Sequence, residues 1–269
     1  MKVFKFGGAS VKDAAGVKNL SSIVHQQHGQ LIVVVSAMGK TTNLLETLCN
    51  AYFHQDPKAT AIMKELKNFH LDIVNTLFPL NDTIHKHLEE LFTSLENILA
   101  SESSLCYDYE YDRIICFGEL ISTTIISDYL KMEGIENQFI DIRKFLKTDQ
   151  NYRNANIDLE LSEQLCKDAF DFNTSSVFVT QGFIAGTRTN QTTTLGREGS
   201  DYTAALLANL LNAEDVTIWK DVPGVMNADP KEYEKAQEEA RKAEEAKKAE
   251  EAKKVAAAKA SKVSARNSS

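Results

Sequence analysis

The feature that most constrains the fold is the run 31–35, five consecutive aliphatic residues of which four are β-branched. A strand with one face in water alternates apolar and polar residues, whereas a continuous apolar run is typical of a parallel strand covered on both faces. Other strand-like segments lie at 3–6, 138–142, 176–184 and 215–220. Because helical patterns separate them, we predict an α/β fold, a three-layer α/β/α sandwich with a mainly parallel central sheet.

The composition narrows the classes of partner. The chain has 269 residues and a formal net charge of -8, which argues against nucleic acid and favours a small molecule. No apolar run approaches the roughly 20 residues that span a bilayer, and the N-terminus lacks a signal-peptide pattern, so we expect a cytoplasmic protein without a membrane segment. The four cysteines are widely scattered, and we expect buried free thiols rather than disulfides or a zinc site.

A lysine followed by paired glycines ends the first predicted strand, at Lys5, Gly7 and Gly8. Without Cβ atoms, glycines let backbone N–H groups approach an anion closely, and the lysine charge could lie over the same oxygens. This pattern predicts a phosphate-binding turn. The alternative is a tight strand-to-helix turn with a solvated lysine, and this stretch alone does not separate the two interpretations.

The second strand ends in the polar segment 36–43, which contains Gly39-Lys40-Thr41. A P-loop would require a glycine five positions before Gly39, and that position is Val34, inside the strand. We therefore reject a P-loop. Ser36 stays a candidate for ligand contact, because open α/β sheets bind ligands at the carboxyl ends of their strands.

An acidic residue, Glu119, interrupts the apolar helix that we predict over 112–130. Ser122 lies on the same helical face, three residues further along. A carboxylate on so apolar a helix needs a compensating charge or hydrogen bonds, which a ligand ammonium group would supply. A structural ion pair with a lysine of the protein is the alternative.

Threonines, glycines and an arginine converge at 192–201, ahead of an Ala- and Leu-rich helix. The planar fork of Arg197 suits a carboxylate or a phosphate, and a helix N-terminus attracts anions. We predict that Ser200 or Asp201 is the N-cap of this helix. Further on, Asp221 follows another strand, where it could contact a nucleotide or simply stabilise a turn.

The motifs together, more than any one of them, identify a family. The chain resembles the aspartokinases of the amino-acid kinase family over residues 1 to about 231. The resemblance rests on the segments KFGGASV (5–11), VSAM (35–38), FGELIS (117–122), TTTLGREGSD (192–201) and WKDVPGV (219–225).

This resemblance implies an amino-acid kinase-like fold and a phosphotransferase. The expected reaction transfers the γ-phosphoryl group of Mg-ATP to the side-chain carboxylate of L-aspartate, giving 4-phospho-L-aspartate for lysine, threonine and methionine synthesis. Such a reaction depends on neutralising charge and on in-line positioning, and it requires no nucleophile from the protein. The Mg²⁺ ion is expected to be held mainly through the ATP phosphates, with no dedicated metal site. A homodimer is a further expectation.

The resemblance also assigns roles to residues at the amino-acid end of the site. Lys5 would neutralise charge on the transferring phosphoryl group, and Asp201 would orient Lys5. Glu119 would hold the ammonium group of aspartate and Arg197 its α-carboxylate. Ser36 would lie near both substrates.

At the nucleotide end, Gly7 and Gly8 would donate backbone N–H groups to the transferring phosphoryl group. The residues expected to contact phosphates or nucleotide are Gly7, Gly8, Ser10, Lys220, Asp221 and Lys231.

Two departures from the family pattern bear on function. Glu198 stands where the family commonly has glycine, which adds a negative charge beside the expected anion site. Residues 232–269 are a low-complexity Ala/Glu/Lys segment, for which we predict a solvated helix or disorder after a C-terminally incomplete kinase domain at 1–231. The alternatives to an active aspartate kinase are a catalytically silent fragment or interaction module, and another amino-acid kinase.

Overall fold

The architecture is taken from a computed structural model, which describes residues 1–79 and 82–220. These residues fall within one compact unit of the chain. The predicted boundary at residue 231 and the segment 232–269 lie outside the described residues, so both stay predictions.

Within the described residues the chain forms eight strands. In chain order they are β1 (Lys2–Phe6), β2 (Leu31–Val35), β3 (Gln138–Ile140), β4 (Lys147–Thr148), β5 (Val177–Gln181), β6 (Ile184–Thr187), β7 (Thr192–Thr194) and β8 (Asp215–Trp219). Five of them form a central sheet in the order β3-β5-β2-β1-β8, and every pairing in this sheet is parallel.

Seven α-helices accompany these strands in the described part of the chain. They are α1 (Ala14–Gln26), α2 (Thr41–Phe53), α3 (Lys58–Leu77), α4 (Asp82–Ala100), α5 (Tyr107–Met132), α6 (Leu159–Ala169) and α7 (Gly199–Leu210). Helix α5 contacts β2, β3 and β5, whereas α7 contacts β1, β2 and β8. Among the described residues, no helix is both long and apolar enough to cross a membrane.

The sheet confirms the α/β fold predicted from the sequence. Every residue of β2 and of β5 is buried, as a parallel strand covered on both faces requires. The strands are also in register, because Phe6 pairs with both Val35 and Trp219, and Val35 pairs with Gln181. The segments that follow β1, β2, β5 and β8 therefore leave the sheet at one common edge.

A second, smaller sheet was not predicted. The segment 176–184, interpreted above as one strand, divides at Gly182 into β5 of the central sheet and β6 of a three-stranded sheet with order β4-β6-β7. Strand β6 is parallel to β4 and antiparallel to β7. Strands of two to four residues give too short a pattern to distinguish from turns, so periodicity did not detect them.

The cysteines are free thiols, as predicted. Cys49, Cys116 and Cys166 are buried, but the expectation of burial is wrong for Cys106, which is exposed just before α5. Its neighbour Leu105 is also fully exposed. The chain before α5 therefore runs over the surface.

Candidate active site

A cavity of about 320 Å³ lies at the carboxyl edge of the central sheet. It is enclosed by the turns that follow β1 and β2, by α5, and by the residues around the start of α7. The residues predicted from the sequence that line it are Lys5, Gly8, Ser36, Glu119 and Asp201. Five candidates from four separate segments of the chain therefore meet in one space.

The two turns approach each other so closely that only glycine fits at position 8. A Cβ atom on Gly8 would lie 2.5 Å from the carbonyl oxygen of Ala37, far inside van der Waals contact. The N–H group of Gly39 donates to the carbonyl of Gly8 at 2.9 Å and joins the turns. The glycine after β1 thus holds the floor of the cavity together.

Asp201 bridges two lysines at one end of the cavity. Its Oδ1 lies 2.6 Å from Lys5 Nζ and its Oδ2 lies 2.8 Å from Lys220 Nζ. Lys5 is almost completely buried, whereas the Lys220 side chain is 43% exposed. Because Asp201 lies in the first turn of α7 and both lysines lie at strand ends, this bridge joins the helix to the edge of the sheet.

The lysines keep Asp201 ionised. Burial alone would raise the pKa of Asp201, but hydrogen bonds from Lys220 and Lys5 and their positive charges lower it below the usual value. In turn, the hydrogen bond to Asp201 raises the pKa of Lys220. The three groups carry a net positive charge, which suits a phosphoryl group.

Glu119 occupies another wall of the cavity and is 2% exposed. Its Oε1 accepts a hydrogen bond from the N–H group of Ala37 at 3.3 Å, and its Oε2 has no hydrogen-bond partner among the described residues. Burial raises the pKa of Glu119 to about 8, against the opposing effects of the Ala37 hydrogen bond and the charge of Lys5. Among the described residues Glu119 forms no ion pair with a lysine, which was the alternative considered from the sequence. Lys5 and Lys220 both pair with Asp201 instead.

The turn after β2 is fixed to α5 beside Glu119. The hydroxyl group of Ser122 donates to the carbonyl of Ser36 at 2.8 Å. Two hydrogen bonds therefore hold this turn against α5, one to the Glu119 carboxylate and one from the Ser122 hydroxyl group. Ser36 lines the cavity from this turn.

Helix α7 starts earlier than predicted, so the prediction that Ser200 or Asp201 is its N-cap is wrong. The capping position is Glu198, and Ser200 and Asp201 belong to the first helical turn. Glu198 has a φ of 54°, a left-handed conformation that favours glycine, and its Oε2 lies 3.6 Å from Lys220 Nζ. Within this first turn the Asp201 carboxylate pairs with Lys5.

Other candidates do not line the cavity in this conformation. Arg197 is exposed and makes no hydrogen bond or ion pair with the described residues. The N–H group of Gly7 and the hydroxyl group of Ser10 both donate to the carbonyl of Trp219, each at 3.2 Å. Asp221 and Lys231 lie outside the described residues, and their roles stay predictions.

Sequence reasoning overlooked one buried carboxylate near the site, Asp112. It lies seven residues before Glu119 on α5 and accepts hydrogen bonds from Thr194 and Arg153. The only sequence signal was an acidic residue at the start of an apolar helix, which is equally typical of a solvated helix end.

Comparison with known sequences assigns the chain to a family. The sequence model described as "Amino acid kinase family" matches residues 1–265, and the chain belongs to that family. Among its relatives, lysine-sensitive aspartokinase 3 of Escherichia coli (strain K12) is 33% identical over 232 residues, which are 85% of this chain and 51% of the relative.

Solved structures give the same grouping. The structure of E. coli aspartokinase III in complex with aspartate and ADP has a TM-score of 0.78 and 31% identity, covering 86% of this chain and 51% of that one. The Clostridium acetobutylicum aspartate kinase has a TM-score of 0.68 and 26% identity, covering 86% and 50%. The chain is thus similar to aspartokinases and spans about half the length of these relatives.

Proposed function

We propose that the chain carries the catalytic domain of an aspartate kinase. The reaction transfers the γ-phosphoryl group of ATP to the side-chain carboxylate of L-aspartate and yields 4-phospho-L-aspartate and ADP. The product would enter lysine, threonine and methionine synthesis, in the cytoplasm. The similarity of the chain to aspartokinases supports an aspartate kinase over another member of the amino-acid kinase family.

The observation that carries this proposal is that one cavity contains binding groups of opposite charge, a lysine and a buried carboxyl group. Lys5 and its neighbour Lys220 provide positive charge for a phosphoryl group. Glu119 provides a buried carboxylate oxygen without a partner among the described residues, as an ammonium group requires. A cavity that receives an anion and an ammonium group together suits an amino acid that is being phosphorylated.

The chemistry needs little covalent help from the protein. An oxygen of the aspartate side-chain carboxylate attacks the γ-phosphorus, while the bond from that phosphorus to the bridging oxygen of ADP breaks. Lys5 stabilises the charge on the transferring oxygens, and Asp201 holds Lys5 in position from the start of α7. The attacking carboxylate is already ionised at neutral pH, so no general base is required.

Glu119 and Arg197 hold the amino acid at its two α-substituents. Glu119 pairs with the ammonium group and Arg197 forms a bidentate contact with the α-carboxylate. Since Arg197 is exposed in this structure, its side chain turns inward when the amino acid binds. Ser36 contributes a hydroxyl group between the two ends.

The nucleotide lies at the edge of β8. Gly8 and Lys220 contact its phosphates, and the resemblance of the sequence assigns Asp221 and Lys231 to the nucleotide as well. Gly7 and Ser10 take part once their hydrogen bonds to the Trp219 carbonyl are exchanged for phosphate oxygens. Such an exchange would couple nucleotide binding to a small shift of β8 against the turn after β1.

Mg²⁺ enters with the ATP phosphates. Both oxygens of Asp201 already lie against lysine ammonium groups, at 2.6 and 2.8 Å, so this carboxylate is not a free ligand. The ion supplies further charge neutralisation on the phosphates when it is bound. Chelation should therefore abolish turnover without unfolding the protein.

Product analysis tests the proposed reaction. The full chain is incubated with Mg-ATP and aspartate, aspartyl phosphate is trapped as its hydroxamate, and ADP is measured in parallel. We expect both products with aspartate and neither with glutamate or UMP. A preference for glutamate or UMP would assign the chain to another amino-acid kinase.

A variant tests the amino-acid site separately. Arg197→Ala should raise the KM for aspartate by roughly 30-fold and leave the KM for ATP within about twofold, because a charge-assisted pair of hydrogen bonds contributes about 2 kcal/mol. The reverse result, a larger effect on ATP, would reject Arg197 as the partner of the α-carboxylate.

A second candidate is a fragment that binds the amino acid without turnover. It is favoured by Glu198, whose carboxylate adds negative charge to the lining of the cavity and opposes the binding of phosphates. Folded protein that binds aspartate by calorimetry, but forms no hydroxamate at saturating Mg-ATP, would establish this alternative. Light scattering of the same sample would test the proposed homodimer.

A further inference from the structure

Asp112 is a completely buried carboxylate in helix α5, with no side-chain partner of opposite charge within its hydrogen bonds. Its Oδ2 accepts from the backbone N–H groups of Arg153 at 2.9 Å and Thr194 at 2.8 Å. Its Oδ1 accepts from the hydroxyl group of Thr194 at 2.7 Å. Three donors from two separate segments therefore converge on one carboxylate.

Both segments lead to the loop that carries Arg197. Thr194 is the last residue of β7, three positions before Arg197. Arg153 and Asn154 contact Gly196, because a Cβ atom there would lie 2.8 Å from Asn154 Oδ1 and 3.4 Å from the Arg153 carbonyl oxygen. Asp112 thus fastens the loop directly through β7 and indirectly through the segment that packs against it.

The other end of the same helix carries Glu119. Residues seven apart lie on nearly the same helical face, and the helical rise separates Asp112 from Glu119 by about 10 Å along the axis. The helix is rigid between them, since this stretch is buried on most sides. A loop fastened to Asp112 therefore has a fixed position relative to the Glu119 carboxylate.

We infer that Asp112 is a positioning residue, which sets the place of the Arg197 loop relative to Glu119 and thereby the affinity for the amino acid. This inference rests on the proposed function, in which Glu119 and Arg197 hold the two α-substituents of the substrate. Asp112 itself does not line the cavity.

The hydrogen bonds that join Asp112 to Arg153 and Thr194, called the clamp below, are sensitive to pH. Burial raises the pKa of Asp112 to about 6, even though the hydrogen bonds from Thr194 and Arg153 oppose this effect. The charged and titratable groups that face it are Asp108, Tyr111 and Cys116 on α5, and Tyr152 and Arg153 from the adjoining segment. A protonated Asp112 would turn an O–H group toward the donors of Arg153 and Thr194 and would lose its negative charge. We therefore expect the clamp to loosen as the pH falls through about 6.

The first test compares KM values. Asp112→Asn keeps the size of the side chain but turns an amide NH₂ group toward N–H donors. At pH 8 we expect a KM for aspartate about tenfold higher, with kcat and the KM for ATP within about twofold, because a displaced loop weakens one substrate contact. At pH 5.5 the ratio of variant to wild-type KM should fall to about three, since roughly three quarters of the wild-type Asp112 carboxyl groups are then protonated. Glu119 is intact in both proteins, so its own titration cancels in the ratio.

Glu110→Gln is the matched control. Glu110 is another fully buried carboxylate of α5, but it accepts from the N–H group of Ser104 and pairs with Arg113, away from β7. Its KM ratio should stay near one at both pH values. Equal rises in both substrate KM values for Asp112→Asn, or a ratio independent of pH, would overturn the positioning role.

The second test needs no activity. Hydrogen exchange at pH 7.5 should be faster in Asp112→Asn over residues 194–199 and unchanged in the central sheet. If Asp112→Asn does not fold, Thr194→Val removes one of the three donors and should produce the same local pattern more weakly. Unchanged exchange at 194–199, or faster exchange throughout the protein, would refute the inference. Local loosening in a protein that forms no aspartyl phosphate would reject the proposed function and retain the clamp.

Discussion

At the scale of single residues, the protonation state of Glu119 is the property with the clearest functional consequence. A carboxyl group with a pKa of about 8 is mostly neutral at pH 7. In the proposed site an ammonium group would stabilise the ionised form, so the amino acid would bind with release of a proton. The cost of that ionisation lowers the apparent affinity at neutral pH and disappears as the pH rises above the pKa.

We therefore predict that the KM for aspartate falls as the pH rises from 6.5 to 8, by up to about tenfold per pH unit. Glu119→Gln should raise the KM at pH 8 by roughly 30-fold or more and should remove most of this pH dependence, because an amide does not ionise. Calorimetry in two buffers of different ionisation enthalpy would measure the proton released. Equal heats in both buffers at pH 7 would contradict the proposed ionisation.

The residues of the site divide clearly into those that the sequence predicted and those that it did not. Lys5, Gly8, Ser36 and Glu119 were predicted because each combines a polar group or glycine with a strand end or an apolar helix. Asp112 was not predicted, since its role depends on β7 and on a contact 82 residues away in the chain. No local pattern contains such a contact.

At the scale of elements, the turns after β1 and β2 act as one structural unit. Gly8 contacts the Ala37 carbonyl, and Gly39 donates to Gly8. The sequence predicted both turns from their glycines and polar residues, but not their mutual contact, which follows from the parallel register of the strands. The three-stranded sheet was missed for a different reason, because its strands of two to four residues are too short to give a recognisable pattern.

The adjacent glycines should respond very differently to alanine. Gly8→Ala should destabilise the protein by about 2 kcal/mol and lower the unfolding temperature by roughly 4–8 °C, because the new Cβ forces the turns apart. Gly7→Ala should leave the unfolding temperature within about 2 °C, because its φ of -72° suits alanine and the nearest atoms are 3.6 and 3.7 Å from the Cβ position. Thermal unfolding of both variants measures this contrast. Equal losses would show that the close approach at Gly8 is relaxed.

The packing of α2 against α3 contains a completely buried histidine, His70. Its Nδ1–H group donates to the carbonyl of Leu66 at 2.8 Å. Burial lowers the pKa of His70 to about 4, although this hydrogen bond opposes the shift. The unfolded chain therefore takes up the proton first as the pH falls, so the stabilising contribution present above the unfolded pKa of about 6.5 is lost in acid.

We predict that this linkage removes about 1.4 kcal/mol of the free energy of unfolding between pH 7.5 and 5.5. The advantage of the wild type over His70→Gln in urea unfolding should shrink by that amount over the same interval. His28→Gln, at an exposed position after α1, controls for the loss of an imidazole group. An advantage that did not change with pH would show that His70 has the same pKa in the folded protein as in the unfolded chain.

At the scale of the whole molecule, the described residues share one hydrophobic core. One cluster of buried side chains extends from Val3 to Leu210, with Trp219 packed at its margin. Residues 232–269 consist mainly of Ala, Glu, Lys and Ser, and large apolar side chains are sparse there. This composition predicts a solvated segment outside the kinase domain, whereas the sequence match to the family extends to residue 265.

Removing residues 232–269 should therefore leave the unfolding temperature within about 2 °C, because the buried apolar area that stabilises the fold is retained. Circular dichroism of the full chain and of a chain that ends at Lys231 would measure the difference. A large loss of stability or of cooperative unfolding would instead assign the segment to the kinase fold and move the boundary toward residue 265.

Trp219 is the one tryptophan in the chain, and it lies at the nucleotide end of the proposed site. Its ring stacks on Phe6 at a centroid distance of 6.0 Å, and its carbonyl holds Gly7 and Ser10. Any ligand that draws Gly7 and Ser10 away from that carbonyl must also disturb the indole. Intrinsic fluorescence excited at the tryptophan band would therefore arise from a single reporter beside the phosphates, and the unmodified protein could be titrated with ADP or ATP without a label.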